Sequence, residues 1–507
     1  MYYYNHNVVI NYLNKNIVYY VLNAVSLFYY YCCFKLNYWR RRGVPQLKNT
    51  HLLCGDFKNG ILFRSPPGYH FGDLYRQSPK DAPFVGIYIF HMPCLLLKDP
   101  EMIKQIFARD FDKFCDRYFA GTPQKDSTGM INLFGLKNPA WKYLRKKITP
   151  LFTRSKLKQM LPFMLEAVTP MMEFLRKNVE SNENNVKVID AQDMNYRYTA
   201  DLIANVALGF KSDSFHGPQS DYTKNFLNYF HSFKRKIAIF TVFFIPEIVR
   251  ILGFLVLYDS SYMRKIFWKI INAREKSGKK RGDFIDSLIR LKKEQQDPLY
   301  KFEGQNLFSQ TGTFFSGLET SSNVSAFTLM ELAKHMEYQE RARENVTEAV
   351  AKHGWTIEGF NEMKFLDQCV SEGLRLHPSV STLDRYALED YKIPDTDLVI
   401  QKDTPIYISL FGVHRDPQFF ENPEVFDPDR FGEGNTVSDN YLPFGAGPRA
   451  CVKAGQLFVK VVIAKILSEY ELAYKRPADE LKLDRRATFT TAANGIHVEF
   501  AKLKTFR

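Results

Sequence analysis

A chain of 507 residues, 45% of them hydrophobic, with no internal repeat and no long low-complexity linker, reads as one large globular body. Seven cysteines, at positions 32, 33, 54, 94, 115, 369 and 451, make no C-x-x-C pair, which argues against a disulfide framework or a zinc site and for a reducing compartment. The formal net charge of +14 suits an acidic partner or an anionic membrane surface, but the basic residues are dispersed without a nucleic-acid motif, which argues against nucleic acid.

Residues 17–34 carry no charge, although five tyrosines and one asparagine make this a soft apolar run. At a rise of ~1.5 Å per residue it just spans a bilayer core of ~30 Å. Lys35, Trp39 and Arg40-Arg41-Arg42 follow, an interfacial aromatic and a basic cluster that belongs on the cytosolic side. A cleaved signal peptide needs a basic start, a short core and a small-residue cleavage site, and none is evident. Residues 1–42 are therefore expected to form a membrane anchor and basic stop-transfer segment. Gly43-Val44-Pro45 then breaks the helix and opens a single body over 43–507.

Residues 111–118 (FDKFCDRY), with Phe114 among them, read as loop and short helix. Trp141 and Arg145 are four apart and share one helical face. Lys142, Lys146 and Lys147 lie around them, as a basic face for a partner or as an ordinary solvated surface. Residues 186–210 read as a strand followed by a buried helix. Residues 227–258 hold Phe230, Phe233, Phe240, Phe243 and Phe244, and aromatic stripes at helical spacing usually pack into a core. An amphipathic helix begins within 281–290.

A long helical pattern over 307–337 contains Phe315-Ser316-Gly317-Leu318-Glu319-Thr320. Glycine and hydroxyl residues weaken a helix interior, so they need a reason there. They either pack against a neighbouring helix or make room for chemistry. The acid and alcohol side by side, Glu319 and Thr320, are suited to passing protons. Glu372 and Arg375 sit at i and i+3, where they can pair locally, and Pro428-Asp429-Arg430-Phe431 brings a further arginine.

The densest signal is Phe444-Gly445-Ala446-Gly447-Pro448-Arg449-Ala450-Cys451, before a helical pattern over 452–470. Glycine tolerates positive φ and proline fixes the next φ, so the cysteine can sit on a tight loop. Such a loop can aim several backbone N–H groups at one sulfur and, with the helix end, hold it as a thiolate. Arg449 could reach an anionic group beside a metal. These are the needs of an axial thiolate ligand to haem.

Phe444, Gly447, Arg449 and Cys451 match the F-x-x-G-x-R-x-C element of the cytochrome P450 superfamily, which the chain resembles from about Trp39 onward. The E-x-x-R pair, the P-x-R-F segment and an A/G-G-x-[DE]-T element at Ser316 to Thr320 stand in the family's order. The wording WKYLRKKITPLFT, DFIDSLIRLKK and YLPFGAGPRAC is similar to the insect microsomal branch associated with oxidising plant toxins and insecticides.

The resemblance implies a mainly α fold with a smaller β-rich part, the cytochrome P450 fold, preceded by an N-terminal transmembrane helix. It implies haem b with Cys451 as axial ligand beside Phe444, and Trp141, Arg145, Arg385 and Arg449 on the propionates. Glu319 and Thr320 would serve oxygen activation in a groove opened by Gly317, and Glu372, Arg375 and Arg430 would be structural. Phe114, Phe315, Ser316, Val380, Thr382 and Phe489 would line the substrate pocket, roofed by the helices of 227–258. Electrons would come from NADPH through a separate NADPH-cytochrome P450 reductase, with cytochrome b5 as a second donor, since no dinucleotide fingerprint opens a βαβ unit. The place implied is the endoplasmic reticulum membrane, the catalytic body facing the cytosol, and the substrate a lipophilic small molecule. The pattern departs at Lys453, where the family carries a glycine. Either Gly455 takes over the close approach, or the loop is damaged and the protein is a membrane-bound binder of lipophiles. A haem-thiolate isomerase or peroxide-driven enzyme, which can dispense with Glu319-Thr320, and a hydroxylase of endogenous steroids or fatty acids are further alternatives.

Overall fold

The helix Thr311–Lys334, here the central helix, is the element on which the others converge. It packs against the helices Ala191–Ile203, Lys364–Leu376 and Gly455–Leu467. From Ser322 onward it buries Ala326, Phe327, Leu329, Met330 and Leu332 together with the small polar Ser322, Ser325 and Thr328. The small residues let helices approach closely: a Cβ on Gly373 would lie 2.5 Å from Thr328 Oγ1. The computed structural model describes residues 2–119, 131–182, 184–216, 220–252, 261–394, 396–435, 438–475 and 481–504.

Strands β1 (Phe84–Ile89), β2 (Met92–Leu97), β7 (Pro405–Ser409) and β4 (Thr382–Tyr386) form a four-stranded sheet in the order β1-β2-β7-β4. β2 runs parallel to β7, and β4 pairs antiparallel with β7, Thr382 facing Ser409 and Arg385 facing Ile406. A three-stranded sheet joins β3 (Val186–Asp190), β9 (His497–Lys502) and β8 (Tyr470–Ala473), and β5 (Tyr391–Lys392) pairs with β6 (Val399–Ile400). One apolar core lies among the helices and a second around the four-stranded sheet. The expected mainly helical body with a smaller β part is what forms.

The aromatic stripe of 227–258 belongs largely to the second core. Phe240, Phe243 and Phe244, on the roof helix Phe233–Phe244, are buried. They meet Phe57, Phe71, Phe119 and Tyr407 ring against ring. Phe233 stays exposed, and the side chain of Phe230 and residues 253–260 lie outside the described part.

Two expectations are corrected. Trp39 is fully buried rather than interfacial: its indole N–H donates to the Ile87 carbonyl, and a Cβ on Gly86 would strike its ring. The helix after the cysteine covers Gly455–Leu467, not 452–470, because Lys453 adopts φ +59, which right-handed helix cannot continue through. Tyr470 already begins β8. The first helix, Tyr2–Leu36, exposes most of its side chains from Val18 to Phe34, but no helix among the described residues is long and apolar enough to cross a membrane. The tyrosines and asparagine of residues 17–34 dilute that run.

Candidate active site

A cavity of about 580 Å³ opens between the central helix, the roof helix, β4 and the cysteine loop, a volume typical of cofactor and substrate sites. Cys451 lines it, as do Glu319 and Thr320 from the central helix.

The cysteine loop is shaped by left-handed residues: Gly445 at φ +73, Gly447 at φ +68 and Lys453 at φ +59. Gly447 has a second reason to lack a side chain, since a Cβ would collide with the Phe107 carbonyl. The Cys451 N–H donates to the Phe444 carbonyl at 2.8 Å, which closes the loop and leaves the cysteine exposed. Among the described residues one backbone N–H, that of Lys453 at 3.4 Å, donates to the sulfur, where several were expected. The Lys453 side chain turns back so that its ammonium stands 5.4 Å from the centre of the Phe444 ring. Gly455 does make a close approach, but to the central helix: its Cβ would lie 2.8 Å from Ser321 Oγ.

Beside the cysteine, guanidinium groups are buried in excess of carboxylates. Arg385, on β4, is fully buried. Its Nη1 donates to the Asp384 carbonyl at 2.7 Å, and its Nε has no partner among the described residues. Arg449 pairs with Asp116 at 3.0 Å and donates to the carbonyls of Cys115 and Leu136, while its Nη1 has no partner among the described residues. Arg117 takes Asp384, at 2.9 Å. Burial, with Arg117 and Arg449 nearby, holds Arg385 well below the ordinary arginine range, and burial pushes Arg449 down to about 10. Unpaired cations are costly in such surroundings, so the cluster calls for an anion. Arg145 adds its guanidinium to the same wall and donates to the Ala450 carbonyl at 2.8 Å. Orphaned buried guanidinium N–H groups and an accessible cysteine in one cavity fit haem, whose propionates and iron need these two kinds of partner.

Trp141 does not reach the cavity. Its indole N–H donates to the Leu133 carbonyl at 3.0 Å, and its ring lies 4.2 Å beneath the Arg449 guanidinium, so it supports that arginine from behind.

On the central helix, Glu319 accepts from Nη1 and Nη2 of Arg235 on the roof helix. The Thr320 hydroxyl donates to the carbonyls of Ser316 and Gly317, at 3.1 and 3.2 Å. The helix runs unbroken through this stretch with its hydroxyls bonded back along the chain. Space opens beside Gly317, which lines the cavity and where a Cβ would meet nothing within 4 Å among the described residues.

A family model described as cytochrome P450 matches residues 59–500. The chain belongs to the cytochrome P450 family. It is 35% identical to cytochrome P450 6k1 of Blattella germanica, covering 94% of each chain. It is 34% identical to a probable cytochrome P450 6g2 of Drosophila melanogaster, over 92% of this chain and 94% of that one. Cytochrome P450 6l1 of Blattella germanica is 33% identical over 85% of each. The expected likeness to insect members of the family is thus met, and the protein is a haem monooxygenase.

In this P450 the pocket residues divide. Ser316, Val380 and Phe489 line the cavity, the last two joined by a β-bridge. Phe114 does not: it is fully buried against Tyr391. Thr382 does not either, because alternate residues of a strand face opposite ways, and β4 turns Leu383 and Arg385 to the cavity. The Phe315 side chain lies outside the described part. Arg117, Arg235, Phe134 and Ile239 also line the cavity and were not singled out from the sequence. Arg117 lies in the FDKFCDRY stretch, whose charges were the available signal.

The expected lock behind the cysteine loop is formed. Glu372 and Arg375, both fully buried, are bidentate at 2.7 Å for each bond, and Arg430 joins Glu372 at 3.3 Å. Arg375 also donates to the carbonyls of His414, Pro423 and Val425, pinning the segment that leads to the loop. His414 in turn accepts the Leu442 N–H through Nε2.

Proposed function

We propose that the protein inserts one oxygen atom from O₂ into lipophilic small molecules, foreign compounds such as plant toxins or insecticides first among them, with electrons from NADPH passed through a separate reductase. The observation that carries this is the pairing, in one cavity, of Cys451 with the unpaired guanidinium atoms of Arg385 and Arg449. Cys451 would ligate the iron, with Phe444 closing the loop that presents it. Arg145, Arg385 and Arg449 take the propionates, and Trp141 backs Arg449. Thiolate-ligated haem supplies the activation of dioxygen. Glu319 and Thr320 would hold and pass protons in the cavity, and Ser316, Val380 and Phe489 would confine the substrate. Residues 43–507 are the catalytic body, and 1–42 hold it at the endoplasmic reticulum membrane facing the cytosol, where the reductase and cytochrome b5 have access. The exposed tyrosines, valines, leucines and phenylalanines of the first helix, followed by Arg40 to Arg42, support that placement.

The test is the carbon monoxide difference spectrum of the reduced, membrane-bound protein. The red-shifted Soret band of a thiolate-ligated haem is expected, followed by oxidation of lipophilic substrates that depends on NADPH and reductase. A band typical of haem without thiolate, or no haem at all, overturns the monooxygenase chemistry and leaves a lipophile-binding protein with a damaged loop at Lys453.

A further inference from the structure

The cations of the cavity are of two kinds. Arg117, Arg235 and Arg449 each have a carboxylate, and Arg145, Arg385 and Lys453 stand with the cysteine loop and the propionate cluster. Arg264, on the helix Ser261–Ser277, belongs to neither group. It has no carboxylate partner among the described residues. Its guanidinium lies 4.8 Å from the centre of the Phe308 ring and donates to Gln305 Oε1. Gln305 is held in turn, its amide donating to Ser309 Oγ at 3.4 Å. Arg264, Gln305 and Ser309 all line the cavity, so they form a polar, cationic rim on it.

This rim is at the far end from the chemistry. Phe308 and Ser309 immediately precede the central helix, whereas Thr320 lies nine residues inside it, roughly 14 Å along the axis at ~1.5 Å per residue. The walls include Ile239, Leu383, Val380 and Phe489, which are apolar. Arg264 itself is only half buried. A carboxylate bound there keeps part of its hydration, so the charge-assisted bond is not cancelled by the cost of burying an ion.

Resting on the reading of this cavity as the substrate site, we propose that Arg264 is a headgroup site. It selects amphiphiles that carry a carboxylate at one end of an apolar body long enough to reach Thr320. Gln305 orients the guanidinium, and Phe308 supports its face.

The experiment is equilibrium dialysis of the haem-loaded full chain with dodecanoate, methyl dodecanoate and dodecyltrimethylammonium as probes. Dodecanoate should bind about tenfold more tightly than its methyl ester, the size of one hydrogen bond to a charged group. The cationic amphiphile should bind most weakly. R264M and R264Q should bring the acid down to the ester and leave the ester unchanged, while R264K keeps part of the preference. Equal binding of acid and ester by the unaltered protein overturns the site. So does a preference that survives R264M, or a loss of ester binding along with acid binding in both variants. The carbon monoxide spectrum of the same samples separates the two levels: a preference for the acid in protein without the thiolate band supports the headgroup site and removes the monooxygenase reading.

Discussion

Arg235 reaches from the roof helix to clasp Glu319 of the central helix, 84 residues away, with both side chains less than a tenth exposed. Burial pushes the Arg235 pKa down, but the charge of Glu319 and the contact with Tyr229 more than offset it, so the arginine stays charged. The acid proposed to supply protons is thus tethered to the roof of the pocket. Arg235→Met leaves a buried carboxylate alone and should lower stability by about 3–5 kcal/mol, with Glu319→Leu costing as much from the other side. The double variant should cost clearly less than the sum. Apparent melting temperatures of the four proteins check this, and additive losses would mean that the pair is not coupled.

Arg385 predicts opposite effects on the two forms of the protein. Without haem, its fully buried guanidinium has no carboxylate partner and an idle Nε among the described residues, so Arg385→Met should stabilise the haem-free chain by about 1–4 kcal/mol. With haem, the same change removes a propionate partner, and haem should pass faster to a competing apoprotein. A variant that loses stability in both forms would show that Arg385 is satisfied within the protein.

Lys453 occupies a left-handed conformation that glycine adopts without penalty. Lys453→Gly should therefore stabilise the chain by about 1 kcal/mol, read from unfolding of the haem-free protein. The N–H donated to Cys451 is a backbone group and survives the change, so the carbon monoxide spectrum should be unaltered. A less stable glycine variant would mean that the ammonium over Phe444 contributes more than the strain costs.

His414 gives a pH dependence. Burial first, and the charge of Arg375 second, hold its pKa down to about 3, against an ordinary histidine near 6.5. Between those values the unfolded chain binds a proton that the folded one refuses. Stability is therefore complete above about pH 6.5 and falls toward pH 3 by about 1.4 kcal/mol per unit from this residue. His414→Asn cannot titrate, and its amide oxygen could take the Leu442 N–H, so it should flatten the acid limb by one proton's slope. The comparison is made by unfolding midpoints at stepped pH, and unchanged slopes would place the proton elsewhere.

Features that depend on near neighbours in the chain are legible in the amino-acid order. Glycine and proline set the cysteine loop because their φ preferences are local. Glu372 and Arg375 meet because i and i+3 share a helix face, and family order brought Arg430 to them. The central helix was legible as a pattern over 307–337, although it runs from Thr311 to Lys334 and residues 307–309 end a separate short helix.

Local order in the chain thus carries where backbone geometry is special and which side chains share a helical face. Tertiary structure decided the rest. Strand pairing chose which face of β4 looks into the cavity, so Leu383 lines it and Thr382 does not. Trp39 went into the core because Gly86 left room for its ring, and Phe114 because Tyr391 lies beside it. The partners of Glu319, Arg117 and Arg449 stand 84, 267 and 333 residues away. Nothing in a local window encodes such distances, because an ion pair needs only complementary charges and leaves the choice of partner to the packing of the elements that carry them.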